Sequence, residues 1–545
     1  MTSTDQGPTP LIGRGMTMSD IVARHARIRP RDEVIVGCGS RRTYRELDSR
    51  VNRLADVLRG LGVATGDRVC VLGTNSIEVV ESWLAAQRLG AIVVPINFRL
   101  VAEEIAYLFR DSEPKALVTD AALRTTAATA ATLAGIAIPF VTIGDEYEDL
   151  LAVARNDIAI QDIPDDTAAF IMYTSGTTGA PKGAVLTHRN LLLHAFSSIL
   201  ALGGTDGYQV SMSAAPLFHI AGLSGMLPTL IIGGTVVIPP SGGFDARAVL
   251  DILEQEKVTS CFMVPAQWQA VCDVPELGSY TLSALRRVSW GAAPASRTLL
   301  RRMIDLFPHA DVCSAFGQTE CSPVTTHLRG EDSVRKLGSV GTPIPHVEVR
   351  VVDDEMNDVP HGEVGEIVYR GPMVMQGYWN KPDATRDAFR GGWFHSGDLV
   401  RQDADGYFYV VDRKKDMIIS GGENIYCAEV ENTLATHPKI AEVAVIGVPD
   451  PKWGETPIAI IVPSVPADPP TDSEVEAFSR DNLAGYKRPK RVVIVDALPR
   501  NAGGKVLKNE LRAAYAGGRF EATDADDRTV QQTSVADRSP TADGR

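Results

Sequence analysis

Between Tyr44 and Leu61 the apolar residues Leu47, Val51, Leu54, Leu58 and Leu61 step by four, three, four and three, so they share one face of a helix. A short apolar run at 68–72 reads as a buried strand, followed by a helix over 76–89, a strand over 91–95 and a helix over 102–109. Strands and helices alternating with short connections predict βαβ units and a parallel sheet. The cadence returns downstream, with a helix over 249–256, strands over 258–264 and 285–290, a helix over 295–307 and a strand over 311–316. Two successive α/β layers follow from it. Over 337–411 the pattern changes to short alternating segments such as 347–352 and 365–369, separated by Gly, Pro and Asp, which predicts a small β-rich, barrel-like unit. Beyond Arg413, helices over 427–437, 473–484 and 505–515 alternate with strands over 443–448, 458–462 and 491–495. The expected class is therefore α/β: a large N-terminal domain over 1–412, made of two α/β subdomains and the β-rich unit, then a small α+β domain over 413–520. Residues 521–545 are poor in large apolar side chains and are expected to form a disordered tail.

At 545 residues and 44% hydrophobic content the chain exceeds one core. Its net charge of −14 argues against nucleic acid as a partner, because a phosphate backbone demands a basic footprint. Seven cysteines without a CxxC pair predict neither a disulfide framework nor a zinc site. Residues 1–10 lack the basic and apolar regions of a secretory signal, and the most apolar stretch, 226–240, is interrupted by Pro228, Gly233 and Gly234. A soluble cytoplasmic protein is the expectation, with room for peripheral contact with a membrane and for a homodimer.

The chemistry begins at Tyr173-Thr174-Ser175-Gly176-Thr177-Thr178-Gly179-Ala180-Pro181-Lys182-Gly183, directly after the apolar run 168–172. Glycines let backbone N–H groups approach an anion, hydroxyls add donors, and Lys182 adds positive charge. The pattern departs from a Walker A loop, which needs Gly-Lys-Ser/Thr at a helix N-terminus. Here Pro181 precedes Lys182, residues 183–187 read as a second strand, and a helix is plausible only over about 187–202. The loop is expected to join two strands and close over a nucleotide.

This segment resembles the signature loop of the adenylate-forming superfamily of acyl-CoA synthetases, luciferases and peptide-synthetase adenylation domains. Further motifs occur in the order that family has. Residues 289–294, Ser-Trp-Gly-Ala-Ala-Pro, are similar to its adenine-flanking turn, and Phe316-Gly317-Gln318-Thr319-Glu320 to its aromatic-Gly-x-Thr-Glu motif. Residues 393–399, with Asp398, resemble the ribose-binding segment, 412–418 the interdomain hinge, and 499–505 the loop that carries a catalytic lysine. The resemblance implies ATP, Mg²⁺ and coenzyme A as ligands. It implies that Thr174, Ser175, Gly176, Thr177, Thr178 and Lys182 meet the phosphates, and that Gly291, Ala292, Ala293, Pro294, Ala315, Phe316 and Gly317 surround the adenine. Asp398 and Arg413 would take ribose and phosphate, Thr319 the α-phosphate, and Glu320 with Thr174 the metal. Lys505 would be catalytic, Lys415 would mark the hinge, and Gly421, Gly422 and Glu423 would meet the pantetheine arm. A turn aspartate at 398 and a tight hairpin at 421–423 are the plain alternatives.

A free carboxylate is a poor electrophile, so joining it to a thiol requires activation. Attack on the α-phosphate of ATP gives an acyl-AMP anhydride and pyrophosphate, and a thiol then releases AMP. This brings an anion against a polyanion, so Mg²⁺ and lysine are needed. Where peptide-synthetase domains place an Asp for the substrate ammonium, this chain reads Pro216-Leu217-Phe218-His219-Ile220. An amino acid would leave its ammonium buried without a partner, so an apolar acid fits better. His219 is a candidate gate between carboxylate and ATP, or else a buried core histidine. The chain looks closest to actinobacterial-type fatty-acid–CoA ligases, which makes a medium- or long-chain fatty acid the first expectation. An aromatic, sterol-derived or dicarboxylic acid, or transfer to a carrier protein instead of CoA, is the alternative.

Overall fold

The computed structural model describes residues 15–158, 161–174, 180–202, 208–293, 295–500 and 506–519. The chain divides into two compact units, one comprising 1–350, 368–396 and 403–409, the other 351–367, 397–402 and 410–545.

The first unit is built on two sheets. In the seven-stranded sheet, Gly377–Tyr378, Lys182–Thr187, Ala168–Thr174, Ile92–Pro95, Arg68–Leu72, Ala116–Asp120 and Phe140–Ile143 lie side by side in that order. The last five run parallel, whereas Lys182–Thr187 is antiparallel to both its neighbours. The phosphate-loop candidate therefore links two strands, as expected, and the structure shows the pair to be antiparallel at one side of a parallel sheet. Helix Tyr44–Gly60 buries Leu47, Val51, Leu54 and Leu58. It begins where the Thr43 hydroxyl accepts the Glu46 N–H and Glu46 answers on the Thr43 N–H. Leu61 lies one residue past its end, as the C-cap.

The nine-stranded sheet runs in the order Thr342–Pro343, Val324–Leu328, Asp311–Gly317, Arg287–Gly291, Ser260–Met263, Val210–Ser213, Thr235–Ile238, Glu33–Gly37 and Ser40–Thr43. Its six central strands are parallel. Val288, Cys261, Met263, Trp268, Leu250, Leu300 and Met303 fill the layer between this sheet and its helices. Helix Ile220–Ile232 runs through Pro228, which the apolar stretch 226–240 presented as an interruption, and ends at Gly233.

Over 337–411 the strands Glu348–Val352, Val364–Arg370, Phe394–Gln402 and Phe408–Arg413 form a four-stranded sheet in that order. In the second unit, Glu423–Ile425, Ile418–Ser420, Gly454–Pro463 and Ile440–Asp450 follow one another, and Arg491–Ile494 pairs with Gly454–Pro463. Helices Cys427–Leu434, Asp472–Asn482 and Lys508–Ala516 accompany the sheet. Ile418, Ile425, Val430, Leu434, Val445 and Ile461 form its core. All seven cysteines are free thiols. Among the described residues, no helix is long and apolar enough to cross a membrane.

Candidate active site

Both stems of the phosphate loop are tied down by side chains outside it. On the incoming strand, Tyr173 donates its hydroxyl to Asp111 Oδ2 at 2.7 Å. Burial first, and the Asp111 carboxylate second, push this phenol above its ordinary pKa, so it remains a donor. Lys381 Nζ meets the other Asp111 oxygen at 3.0 Å, and Trp379 Nε1 donates to the Asp111 carbonyl at 3.0 Å. On the outgoing side, the Tyr107 hydroxyl donates to the Pro181 carbonyl at 3.0 Å, and the Trp379 N–H donates to Gly183 O at 2.8 Å. Thr174 and Lys182 face each other in the register of the two strands. Ser175, Gly176, Thr177 and Thr178 lie outside the described residues.

Lys182 and Glu320 are brought together through a residue that no motif flagged. The Lys182 ammonium stands 5.2 Å from the centroid of the Tyr378 ring, and the Tyr378 hydroxyl donates to Glu320 Oε1 at 2.9 Å. Glu320 is 7% exposed, in the short helical turn Thr319–Cys321 after strand Asp311–Gly317. The Met375 N–H donates to its carbonyl at 2.7 Å. Glu320 and Thr174 supply a carboxylate and a hydroxyl, hard oxygen donors of the type Mg²⁺ takes alongside water and phosphate. In the nine-stranded sheet Gly291 pairs with Ala315. Ala292 and Ala293 therefore follow one parallel strand as Phe316 and Gly317 end the next, at the carboxyl edge where open α/β sheets bind ligands. Pro294 lies outside the described residues.

His219 is half-buried and caps helix Ile220–Ile232, its Nδ1 accepting the Ala221 N–H at 3.1 Å. The adjoining Phe218 ring packs edge-on against Phe98 with centroids 5.4 Å apart, and the Arg99 guanidinium lies 5.9 Å from the Phe218 ring. Beneath this turn is a cavity of about 10 Å³, lined by Ser213, Leu217, Gly222, Gly225, Met226 and Val237 among others, with room for roughly one water centre.

The second unit holds the other motif residues. Asp398, 3% exposed, accepts Arg413 Nε at 2.7 Å, so the ribose-segment carboxylate and the arginine that follows it are already paired. Alongside, Glu366 accepts the Gly397 N–H at 3.0 Å and Lys414 Nζ at 2.9 Å. Asp412, pushed up in pKa by burial, accepts the N–H groups of Arg413 and Ala428. Burial, with positive neighbours behind it, lowers the Lys415 pKa. Asp416 pairs with Arg512 of helix Lys508–Ala516 at 2.9 Å. Gly421 and Gly422, with φ of 60° and 88°, form a two-residue turn between Ile418–Ser420 and Glu423–Ile425, a conformation glycine takes without strain. Lys505 lies outside the described residues, but its flanks meet: Arg500 bridges to Val506, and the Leu507 N–H donates to Pro499 O at 2.8 Å.

The motifs thus fall into two groups. Thr174, Lys182, Thr319, Glu320, His219 and the 291–293 and 315–317 edges belong to the first unit, whereas Asp398, Arg413, Lys415 and 421–423 belong to the second. Asp111, Tyr107 and Tyr378 were not legible as site residues, since a lone Tyr or Asp far along the chain carries no spacing to read.

The model of the AMP-binding enzyme family matches residues 22–379, and that of the AMP-binding enzyme C-terminal domain matches 429–505. A feruloyl-CoA synthase of Amycolatopsis sp. is 43% identical over 497 residues, covering 90% of this chain and 98% of that protein. The long-chain-fatty-acid–CoA ligase FadD13 of Mycobacterium tuberculosis is 37% identical over 506 residues, 91% of this chain and 98% of the relative. Among solved structures, the o-succinylbenzoate–CoA synthetase MenE of Bacillus subtilis, in complex with ATP and magnesium, aligns with a TM-score of 0.82 at 32% identity, covering 90% of this chain and 98% of that one. The chain belongs to the AMP-binding enzyme family and is an adenylate-forming CoA ligase.

Proposed function

We propose that this ligase activates an apolar carboxylic acid, an aryl acid of the hydroxycinnamate kind first and a medium- or long-chain fatty acid second. The observation that carries it is the Leu217-Phe218-His219 turn, where an aromatic pair stands and the sequence offers no carboxylate to an ammonium. The feruloyl-CoA synthase at 43% identity supports the aryl reading, and FadD13 at 37% supports the fatty-acid one. The Phe98 and Phe218 rings suit an aryl substrate, because edge-to-face partners add to burial.

In this reading the adenine lies against 291–294 and 315–317, and Asp398, oriented by Arg413, accepts the ribose hydroxyls. Thr319 takes the α-phosphate, and residues 174–178 with Lys182 take the β- and γ-phosphates. Glu320 and Thr174 would hold Mg²⁺, which when bound neutralises phosphate charge. Lys505 bridges the acid's carboxylate to the α-phosphate as the anhydride forms and pyrophosphate leaves. Lys415 belongs to the hinge at the head of a C-terminal domain over 413–520, whose rotation brings 421–423 to CoA for thioester formation. His219 separates the acid from the nucleotide until both are bound.

The test is product analysis by mass spectrometry with ATP, Mg²⁺, CoA and a mixed panel of cinnamates, C4–C18 fatty acids and amino acids. AMP, pyrophosphate and an aryl- or fatty-acyl-CoA are expected. ADP as the nucleotide product, an aminoacyl thioester, or transfer to a phosphopantetheinyl carrier in preference to CoA would refute the proposal.

A further inference from the structure

Asn75 follows strand Arg68–Leu72 of the seven-stranded sheet, yet its polar groups engage the other sheet and the gate. Its side-chain oxygen accepts the Leu217 N–H at 2.9 Å and its side-chain nitrogen donates to the Pro239 carbonyl at 3.3 Å. Its backbone N–H donates to Ser241 Oγ at 2.7 Å, and its carbonyl accepts the Cys38 thiol at 3.2 Å. Pro239 and Ser241 leave strand Thr235–Ile238, and Cys38 turns between Glu33–Gly37 and Ser40–Thr43. The residue is 6% exposed, so these bonds are its environment.

Leu217 immediately precedes Phe218 and His219, and the turn around it has no slack. The His219 N–H donates to Pro216 O at 3.0 Å and the Gly222 N–H to His219 O at 2.9 Å. A Cβ on Gly222 would lie 2.6 Å from Pro216 O, so the turn sits directly on the helix. The Phe218 ring is met by Phe98, which follows strand Ile92–Pro95. The gate is therefore gripped twice from the seven-stranded sheet, its backbone by Asn75 and its ring by Phe98. Only a head with one acceptor and one donor satisfies both backbone groups: aspartate would set a carboxylate oxygen against the Pro239 carbonyl, and leucine would leave the Leu217 N–H unpaired.

We infer that Asn75 is a positioning residue for acid selection, setting where the Phe218 ring stands without touching acid or nucleotide. The inference rests on the reading of that turn as the acid gate. It is tested by a cycle of wild type, Asn75→Ser, Phe218→Ala and the double variant. KM is measured for the preferred acid at saturating ATP and CoA, and for ATP at saturating acid. Asn75→Ser should raise the KM for acid at least fivefold, with the KM for ATP within twofold. Phe218→Ala should shift acid KM too, and the double variant should be no worse than Phe218→Ala, because Asn75 acts through that ring. Independent, multiplying losses, or equal increases in both KM values, would overturn the role of Asn75 while leaving the gate intact. A Phe218→Ala enzyme with unchanged acid KM would overturn the gate reading itself and this inference with it. Should Asn75→Ser not fold, Asn75→Gln, which keeps an amide head but moves it by one methylene, carries the same cycle, with thermal melting as the check on folding.

Discussion

Replacing Tyr378 by Phe isolates one bond in the first unit. The substitution removes the hydroxyl that donates to Glu320 Oε1 at 2.9 Å and keeps the ring 5.2 Å from the Lys182 ammonium. It keeps the backbone pairing of Tyr378 with Ala184 as well. Burial first, and the neighbouring Glu320 second, push the phenol far above its ordinary pKa, so in the native enzyme it donates at every working pH. A hydrogen bond to a charged group contributes about 1.5–3 kcal/mol. With tenfold per about 1.4 kcal/mol, adenylation should slow by roughly ten- to a hundredfold in kcat/KM for Mg·ATP. ATP–pyrophosphate exchange reports that half-reaction, and conversion of chemically supplied acyl-AMP to acyl-CoA reports the other. The first should fall and the second should stay within twofold, with Mn²⁺ binding to the enzyme–ATP complex, followed by paramagnetic resonance, weakened in parallel. Exchange at the wild-type rate, or equal losses in both half-reactions, would refute the idea that Tyr378 holds Glu320 for the nucleotide.

Asp398→Asn should raise the KM for ATP about tenfold and leave the KM for acid unchanged, since it converts the carboxylate paired with Arg413 into a neutral amide; initial rates in a two-substrate matrix decide it. Lys505→Ala should abolish acyl-AMP formation while supplied acyl-AMP still gives thioester, whereas Lys415→Pro should let adenylate accumulate and slow thioester formation, because proline fixes φ at the hinge. Parallel loss of both half-reactions in two folded variants would contradict that division of labour. His188, His194 and His327 are buried and held at about 4, about 3 and about 4, below the ordinary 6.5, chiefly because burial disfavours the imidazolium. Between those values and 6.5 the unfolded chain binds more protons, so their contribution to stability is full above pH 6.5 and is lost as pH falls toward 4. The buried carboxyls Glu81, Asp412 and Glu431, raised in pKa, act in the opposite sense. His194 is therefore tested by itself: Nε2 accepts the Val324 N–H at 3.1 Å, and His194→Gln, which retains an acceptor, should give a shallower fall in urea midpoint from pH 6.5 to 4.5. An unchanged slope would count against it.

Periodicity carried what long apolar faces can carry. The helix at Tyr44–Gly60 was legible because its apolar residues return every three or four positions, and the strands Arg68–Leu72 and Ile92–Pro95 because each is a short apolar run. Where the interval is too short to repeat, the signal vanishes. Gly377–Tyr378 is a two-residue strand held by pairing to Lys182–Thr187, far away in sequence, and Ser40–Thr43 reads Ser-Arg-Arg-Thr with no buried residue and is held by its hairpin with Glu33–Gly37. Helix Arg124–Ala134 buries only alanines, and its alternation of Ala and Thr gives no apolar stripe to detect. Pro228 looked like an interruption because it lacks an N–H, yet the buried side chains Ile220, Leu223, Met226, Leu227 and Leu230 around it hold the helix through that one missing bond.

The site divides along the same line. The motif residues could be recognised by their order along the chain, whereas the side chains that hold the backbone beside them could not, and the reason is geometric. Asp111, Tyr107 and Asn75 each bind the chain next to a motif residue: Tyr173 at the start of the phosphate-loop candidate, the Pro181 carbonyl before Lys182, and the Leu217 N–H before Phe218 and His219. Under the proposed function, fixing the chain on either side holds Lys182 and His219 where positioning within a fraction of an ångström is demanded. A backbone group can be held by any suitable donor or acceptor that the fold brings near. The holder's sequence position is therefore set by topology, here 74 residues from Tyr107 to Pro181 and 142 from Asn75 to Leu217, and no local pattern marks it.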